Sequence, residues 1–327
     1  MTEASNDVLV TGGAGYIGSH ACKALAAEGY RPVTFDSLVT GHREAVRWGP
    51  FEQGDIRDVG RLVEVMSAYR PAAVMHFAAF AYVGESIADP EKYYQNNVAG
   101  TLSLLSAVRQ CGIENFVFSS TCATYGEPKH VPIPETAAQN PINPYGRSKL
   151  MIEQILKDYV KAYGMTAIAL RYFNAAGADA AGETGESHNP ETHLIPLVLN
   201  AIRDPGAPVT VFGTDYPTQD GTCVRDYTHV SDIATAHVLA LRRRGAEAQF
   251  RAYNLGTGAG YSVREIIAMA ERVTGKNAAV LTGSRRDGDP AELLADPSRA
   301  RSELGWQARH SELQSILATA WAWMQRS

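Results

Sequence analysis

The sequence predicts an α/β protein of the Rossmann type, with a doubly wound parallel sheet followed by a smaller C-terminal α/β lobe. Three observations lead to this fold class. Short apolar runs alternate with helical stretches through the first half of the chain, as in βαβ units. A glycine-rich turn joins the first apolar run to the first helical stretch. Beyond Asn174 the chain becomes rich in Gly, Ala, Glu and Ser over residues 175–190, which indicates a loop into a second lobe.

The alternation resolves into individual strands and helices. We expect strands at residues 7–11, 32–36, 73–77, 115–119 and 166–171, and helices at residues 17–28, 58–69, 91–111 and 145–163. We assign residues 1–174 to a nucleotide-binding domain and residues 175–327 to a substrate lobe, with a return of the chain to the first domain around residues 224–245. Ligands of such sheets bind beyond the carboxyl ends of the strands, so we expect the site there.

The composition is that of a globular protein, for which we expect the cytoplasm. Of 327 residues 45% are hydrophobic and 20% are charged, and the net charge is −5. This charge gives no support to binding of nucleic acid or of an anionic membrane. The four cysteines are scattered without a Cys-x-x-Cys pair, so neither a disulfide framework nor a zinc site is indicated. His188, Glu191 and His193 lack the His-Glu-x-x-His spacing and fall in a predicted loop, so we expect no metal site.

The glycine turn has the spacing of a dinucleotide-binding site. Gly12, Gly15 and Gly18 follow the apolar run at residues 8–10 and precede a helical pattern. Glycines let the backbone approach a pyrophosphate, and the helix N-terminus offers free N–H groups. The next predicted strand ends on Asp36, 18 residues beyond Gly18. A carboxylate there can hold both hydroxyls of the adenosine ribose and would repel a 2′-phosphate, so NAD is favoured over NADP.

A tyrosine and a lysine lie four residues apart in a predicted helix, at Tyr145 and Lys149. Four residues are about one helical turn, so both side chains share a face. A phenol normally keeps its proton to about pH 10, but a neighbouring ammonium favours the phenolate. The pair can therefore supply a general base. Such a pair recurs by chance on surface helices, and the glycine turn upstream gives this one its significance.

Nine segments resemble a known family. They match the extended short-chain dehydrogenase/reductases and, within them, the UDP-galactose (UDP-glucose) 4-epimerases. Two segments, DYPTQDGTCVRD at residues 215–226 and RRDGD at residues 285–289, are close to the 4-epimerases in particular. The other seven are TGGAGYIGSH (11–20), GDIR (54–57), HFAA (76–79), VGES (83–86), PYGRSK (144–149), RYFN (171–174) and VRDY (224–227).

The resemblance implies a reaction and three catalytic residues. Tyr145 would take the proton of the sugar 4-hydroxyl while a tightly held NAD takes hydride from C4 of the UDP-sugar. Lys149 would lower the pKa of Tyr145 and hold the nicotinamide ribose, and Thr121 would hydrogen-bond the reacting 4-oxygen. The keto sugar then turns over and receives the hydride on its other face. The resemblance also implies a homodimer formed through two helices of the nucleotide-binding domain.

The resemblance implies a set of residues that contact the cofactor. They come from the glycine turn and from the segments that follow the predicted strands. The set is Gly12, Gly15, Tyr16, Ile17, Gly18, Asp36, Ser37, Thr40, Gly41, Asp55, Ile56, Phe77, Ala78, Ala79, Asn96, Ser119, Tyr145, Lys149 and Phe173.

The resemblance also implies contacts to the UDP-sugar. Arg225 and Arg286 would bind the diphosphate, since a planar guanidinium pairs with two phosphate oxygens at once. Asp289 would contact the uridine ribose, Phe212 would pack near the uracil, and Leu293 would limit the room around the sugar. The full set is Thr121, Tyr145, Asn174, His193, Leu194, Val211, Phe212, Arg225, Arg286, Asp289 and Leu293.

Other functions stay open on the sequence. Residues 80–86, FAYVGES, also resemble UDP-xylose (UDP-arabinose) 4-epimerases, which share the same catalytic residues. Sugar-nucleotide 4,6-dehydratases carry Thr-Asp-Glu where this chain has Thr121, Cys122 and Ala123, so elimination would lack its acid and base. A UDP-glucuronate decarboxylase usually has Ser-Glu at the same place, so Cys122 argues against that activity. A cofactor-sensing regulator typically loses the tyrosine or the lysine, and both are present here.

Overall fold

The protein is described here by a computed structural model that covers residues 5–243, 248–286 and 289–326. Strands and helices are named in chain order. The strands are β1 (Asp7–Thr11), β2 (Arg31–Asp36), β3 (Phe51–Gln53), β4 (Ala73–His76), β5 (Asn115–Thr121), β6 (Thr166–Tyr172), β7 (Asn174–Ala176), β8 (Val209–Phe212), β9 (Val224–Arg225), β10 (Tyr227–His229), β11 (Phe250–Leu255), β12 (Tyr261–Ser262), β13 (Val280–Gly283) and β14 (Glu292–Leu293). The helices are α1 (Tyr16–Ala27), α2 (Val59–Tyr69), α3 (Val83–Ala88), α4 (Pro90–Tyr93), α5 (Gly100–Gln110), α6 (Pro144–Tyr163), α7 (Leu194–Arg203), α8 (Val230–Arg242), α9 (Val263–Thr274) and α10 (Leu313–Met324).

A seven-stranded parallel sheet forms the centre of the larger domain, in the order β11-β6-β5-β4-β1-β2-β3. The inner strands β1, β4, β5 and β6 are buried on both faces, as the apolar runs predict. Leu9 packs into a core with residues of α2, α5 and α6, whereas Val8 and Val10 pack on the opposite face with residues of α1 and α8. This alternation of side chains gives a sheet covered by helices on both faces. It confirms the predicted Rossmann-type fold class.

The observed elements differ from the predicted ones in one helix and at the edges of the sheet. The helix expected at residues 91–111 is interrupted, because a π-helical segment, Tyr94–Ala99, separates α4 from α5. Segments of this kind occur often at functional sites. The edge strands β3 and β11 were not predicted. β11 lies far along the chain and pairs in parallel with β6, and α8 packs against α1.

The rest of the chain forms a smaller lobe around α7, α9 and α10. Their buried faces share one core with residues of β8 and with Tyr216 and Tyr227. Three short sheets surround it, namely β10-β7, β12-β9-β14 and β13-β8. β7 leaves the large sheet at Asn174, so this lobe begins at the carboxyl end of β6. In the described ranges, no helix is both long and apolar enough to cross a bilayer.

Candidate functional site

The glycine turn after β1 brings the backbone close to the segment that follows β4. Gly12 has a φ of +75°, which favours glycine, and a Cβ there would lie 2.5 Å from the backbone nitrogen of Ala78. Gly15 occupies the N-cap of α1, where no side chain caps the helix. Tyr16 and Ile17 open α1, so their N–H groups belong to the unpaired first turn. The turn thus offers free donors and a positive dipole end to an anion.

Asp36 ends β2 beside this turn and is only 8% exposed. Its two oxygens accept hydrogen bonds from the backbone N–H of Ala14 at 3.0 Å and of Leu38 at 2.8 Å. Burial raises the pKa of the Asp36 carboxyl, and these two N–H groups oppose that rise. Gly41 lies against the same carboxylate, since a Cβ at Gly41 would come within 2.9 Å of it. The carboxylate keeps lone pairs for further donors.

Tyr145 and Lys149 lie in the first turns of α6. Asn143 caps this helix by accepting a hydrogen bond from the Gly146 N–H at 2.8 Å, and a proline occupies its first turn. The Lys149 Nζ donates to the backbone oxygen of Ser119 at 2.8 Å and lies 6.0 Å from the centre of the Tyr145 ring. The structure therefore brings the predicted pair to the carboxyl end of β5, where we expected the site.

The ionisation of this pair differs from the expectation. In the protein alone, burial raises the pKa of the Tyr145 phenol, the nearby Tyr172 adds to the rise, and a hydrogen bond with Thr121 opposes it. Burial also lowers the pKa of Lys149 to about 7, while Glu153 opposes that shift. Desolvation penalises the charged form of each group, and in the protein alone it is the largest cause of both shifts.

Thr121 and Ser119 come from the end of β5, and both are buried. The Thr121 hydroxyl also accepts a hydrogen bond from the Ala123 N–H at 3.1 Å, which orients it. The Ser119 hydroxyl is hydrogen-bonded to the hydroxyl of Tyr172 on the neighbouring strand β6. Burial raises the pKa of Tyr172 to about 12, so it stays a neutral donor near Tyr145. Tyr172 was not predicted as a site residue.

The other predicted cofactor residues line the same edge of the sheet or its loops. Phe77, Ala78 and Ala79 follow β4, and the N–H groups of Phe77 and Ala78 donate to the oxygen of Thr11. Ser37 and Thr40 are exposed in the loop after β2. Asp55 pairs with Arg57 at 2.6 Å, and Ile56 is buried. Asn96 lies in the π-helical segment and donates to Asn97 at 3.0 Å, and Phe173 is buried in one cluster with Cys122.

The predicted substrate residues Arg225, Asp289 and Leu293 meet on the short sheet of the smaller lobe. Leu293 on β14 pairs with Arg225 on β9, and the guanidinium of Arg225 forms an ion pair with Asp289. Leu293 packs against a buried cluster that contains Cys122 and Phe173. Since Cys122 follows Thr121, this cluster connects the sheet of the smaller lobe with the end of β5.

Phe212 and Arg286 form a second contact of the smaller lobe. The Arg286 guanidinium lies 4.1 Å from the centre of the Phe212 ring, and Phe212 is 36% exposed. Val211, one residue earlier on β8, is buried in the lobe's core. Asn174 begins β7, and its N–H donates to the backbone oxygen of Asp226 at 3.1 Å. Phe212 and Asn174 thus lie at strand ends and Arg286 lies in a loop, and ligand contacts are common at such positions.

Four side chains, of which the sequence analysis had grouped three, come together before α7. Ligand atoms of Glu186, His188, Glu191 and His193 lie within 4.8 Å of one another. The His193 Nδ1 is 2.6 Å from a Glu186 oxygen and 3.3 Å from a Glu191 oxygen. These two carboxylates raise the pKa of His193 to about 10, against the lowering effect of its partial desolvation. The imidazolium therefore supplies the positive charge of the cluster, and His193 with Leu194 begins α7 beside Tyr82.

Two carboxylates were missed by the sequence arguments. Glu186 carries no motif, and only the folded loop brings it to the histidines. Glu153 is completely buried on α6 and forms an ion pair with Arg171. A signal for Glu153 did exist, because it lies four residues after Lys149 and eight after Tyr145, on the same helix face.

Comparison with known proteins gives consistent matches over the whole chain. Residues 8–256 match the family described as NAD dependent epimerase/dehydratase. The UDP-glucose 4-epimerase of Rhizobium leguminosarum bv. trifolii is 53% identical over 99% of both chains. The crystal structure of UDP-glucose 4-epimerase from Brucella ovis in complex with NAD is 55% identical, has a TM-score of 0.95 and is matched over 97% of this chain and 98% of its own. The UDP-glucose 4-epimerase structure from Stenotrophomonas maltophila, with bound NAD and formylated UDP-arabinopyranose, is 42% identical with a TM-score of 0.94 over 98% of each chain.

Proposed function

The chain belongs to the NAD dependent epimerase/dehydratase family, and we propose that it interconverts UDP-glucose and UDP-galactose by epimerisation at C4 of the sugar. The observation that carries this proposal is the convergence of Tyr145, Lys149 and Thr121 at the end of β5. A dehydratase would need carboxylates in place of Cys122 and Ala123. Cys122 is a buried thiol whose pKa burial raises to about 12, so it offers neither a base nor a ready acid.

The residues present fit NAD. Gly12 lets the turn pack closely against Ala78, α1 lacks a side-chain cap, and Asp36 presents a buried carboxylate beside the turn. We propose that the α1 N-terminus holds the pyrophosphate, that Asp36 accepts from the adenosine ribose and that Lys149 holds the nicotinamide ribose. When bound, NAD supplies the redox chemistry at C4 by accepting a hydride and returning it.

Tyr145 performs the proton transfer in this proposal. Its phenolate takes the proton of the 4-hydroxyl as C4 is oxidised and gives it back when C4 is reduced on the other face. Thr121 donates to the reacting oxygen and fixes its distance from Tyr145. Because burial raises the pKa of Tyr145, the phenolate needs a cation beside it, and the ammonium of Lys149 is in place.

The smaller lobe holds the nucleotide part of the substrate in this proposal. Arg225 turns from Asp289 to the diphosphate, and the freed Asp289 accepts from the uridine ribose. The short sheet keeps both side chains close enough for this exchange. Arg286 gives a second contact to the diphosphate, and Phe212 offers its exposed ring to the uracil. Leu293, next to Arg225, borders the sugar, and we place Asn174, Val211, His193 and Leu194 around the same pocket.

The hexose is favoured over the pentose as substrate. Close relatives over the full length of the chain are UDP-glucose 4-epimerases. One observation favours pentose epimerisation as a second candidate function, because the structure of the Stenotrophomonas maltophila enzyme contains formylated UDP-arabinopyranose. The reaction at C4 is the same for both sugars, so the catalytic residues do not separate them.

The proposal extends to the organisation of the protein. We propose that residues 1–174, with the return around 224–245, bind the cofactor and that the remainder binds the UDP-sugar. We also propose a homodimer formed through α5 and α6, because they expose Leu102 (41%) and Met151 (45%). Light scattering on the purified protein tests the dimer, and Met151→Glu should yield monomers.

The free thiols of the four cysteines fit the reducing cytoplasm, where we place the enzyme.

Product analysis tests the proposed function. The purified protein is incubated separately with UDP-galactose, UDP-glucose, UDP-xylose and UDP-arabinose, and the sugars are separated by chromatography. Conversion of UDP-galactose to UDP-glucose at a rate well above pentose conversion is the expected result. Faster pentose conversion would establish the second candidate function. Elimination products, or no reaction with any of the four, would contradict the proposal.

A further inference from the structure

Tyr145, Lys149 and Glu153 form one stripe on the buried face of α6, each a helical turn from the next. Lys149 is 3% exposed and Glu153 is completely buried. The proposed reaction uses the first two members of the stripe and leaves the third without a role. A carboxylate is costly to bury, so its place in this stripe calls for an explanation.

Every oxygen of Glu153 is held by neighbours. One oxygen accepts from the Ser120 hydroxyl at 2.6 Å and from the Arg171 Nε at 2.9 Å, and the other accepts from an Arg171 terminal nitrogen at 2.5 Å and from Gln139 at 3.2 Å. Arg171 is itself 3% exposed. A buried ion pair is weak evidence for stability, since the cost of desolvation offsets much of the attraction.

The bonds of Lys149 and Glu153 reach consecutive residues of β5. Lys149 donates to Ser119, Glu153 accepts from Ser120, and Thr121 is the next residue. These two bonds fix α6, which carries Tyr145, against the strand end that carries Thr121. We infer that Glu153, held by Arg171 and Ser120, is a positioning residue that keeps the Lys149 ammonium charged and aimed, and thereby keeps Tyr145 competent as a base. The inference rests on the proposed function.

The charges around Lys149 agree with this role. Burial lowers the pKa of Lys149 to about 7, and Glu153 is the group that opposes the shift. The other groups that face Lys149 in the described structure are the Tyr145 phenol on α6, the Phe118 ring on β5 and His76 on β4. Burial lowers the pKa of His76 to about 3, so it adds no charge. Arg171 forms an ion pair with Glu153, so the charge of the carboxylate is balanced inside the protein.

The pH profile of kcat in three NAD-loaded variants tests this inference. Glu153→Gln leaves Arg171 as an unbalanced cation, so the ammonium of Lys149 becomes harder to maintain. The alkaline limit of activity should fall by about one pH unit, and the plateau should fall about tenfold. Arg171→Met removes a cation and must not lower the limit. The double variant Glu153→Gln/Arg171→Met removes both charges and should return the limit towards that of the parent protein.

The alternatives are distinguishable. If Glu153 only supports the fold, Glu153→Gln will lower kcat equally at all pH values and the double variant will not restore the limit; that result overturns the inference. If Glu153→Gln alone does not fold, the double variant is compared with Arg171→Met. The two proteins differ only in the carboxylate, so the double variant must have the lower alkaline limit of activity. Equal alkaline limits overturn the inference. A parent protein without epimerase activity would instead refute the proposed function.

Discussion

The two halves of the candidate site are built differently. Tyr145, Lys149 and Thr121 are held by a long helix and by a strand of the seven-stranded sheet, and Lys149 and Thr121 are also hydrogen-bonded to the backbone. Arg225 and Leu293 belong to strands of two residues, and the Arg225 guanidinium is paired with another residue of the site. The difference suggests that the sheet fixes the reacting groups, while the smaller lobe keeps charges that exchange partners when substrate enters.

Removal of the phenol should have the largest effect. Tyr145→Phe keeps the ring and its packing but removes the proposed base, so kcat should fall about 10²- to 10⁴-fold while UDP binding changes little. Tyr163→Phe is a matched control, because Tyr163 ends the same helix and is 54% exposed. Steady-state kinetics with UDP-galactose measure both. A folded, NAD-loaded Tyr145→Phe protein with near-parental kcat would show that the half of the site built on the sheet does not supply the base through Tyr145.

Removal of a guanidinium in the smaller lobe should act on binding instead. Arg225→Met should raise the KM for UDP-galactose about 10- to 100-fold with little change in kcat, since a hydrogen bond to a charged group is worth about 1.5–3 kcal/mol. Arg285→Met is the control, because Arg285 is exposed and pairs with Asp215. If Arg225→Met lowers kcat by as large a factor as it raises KM, the smaller lobe also positions the reacting sugar. The proposed division of roles between the sheet and the smaller lobe would then be wrong.

The cofactor preference should change by a smaller factor. Asp36→Ala removes the carboxylate that accepts from the ribose and repels a 2′-phosphate, so the preference for NAD over NADP should narrow by about tenfold. Reconstitution of the apoprotein with each nucleotide, followed by rate measurement, gives the ratio. An unchanged ratio would mean that another group selects the cofactor and that the buried position of Asp36 is incidental.

The smallest effect concerns the charged cluster before α7. The pKa of His193 is raised from its ordinary 6.5 to about 10, so its contribution to stability is complete below pH 6.5 and is lost as the pH rises through about 10. His193 is 44% exposed, so the loss in His193→Gln should be only about 0.2–1 kcal/mol at pH 6 and close to nothing above pH 10. Thermal unfolding at both pH values, with the exposed His130→Gln as control, measures this. A loss that persists at high pH would contradict the charge argument.

The sequence was most informative where local pattern determines structure. The Gly12 turn, the end of β2 at Asp36 and the Tyr145–Lys149 helix could be predicted, because each depends on residues close together in the chain. β11 could not be placed, since its pairing with β6 joins segments about 80 residues apart, and nothing local specifies that register.

Charge states were the least predictable part of the site. The spacing of Tyr145 and Lys149 indicates a phenolate with an ammonium, but their burial shifts both pKa values the other way. Burial depends on how β5, α6 and the π-helical segment pack, which a motif does not contain. Similarly, the Glu186–His193 contact requires a folded loop, and spacing gave no sign of it.

The fate of the hydrogen on C4 tests the central claim most directly. The account has Tyr145 move only the hydroxyl proton, while the hydrogen on C4 leaves and returns as a hydride inside a closed site. UDP-galactose carrying deuterium at C4 is converted in ordinary water, and the UDP-glucose formed is examined by NMR and mass spectrometry. The account predicts that the deuterium stays on C4. Replacement of that deuterium by solvent hydrogen would show that C4 loses a proton rather than a hydride, and would contradict the account.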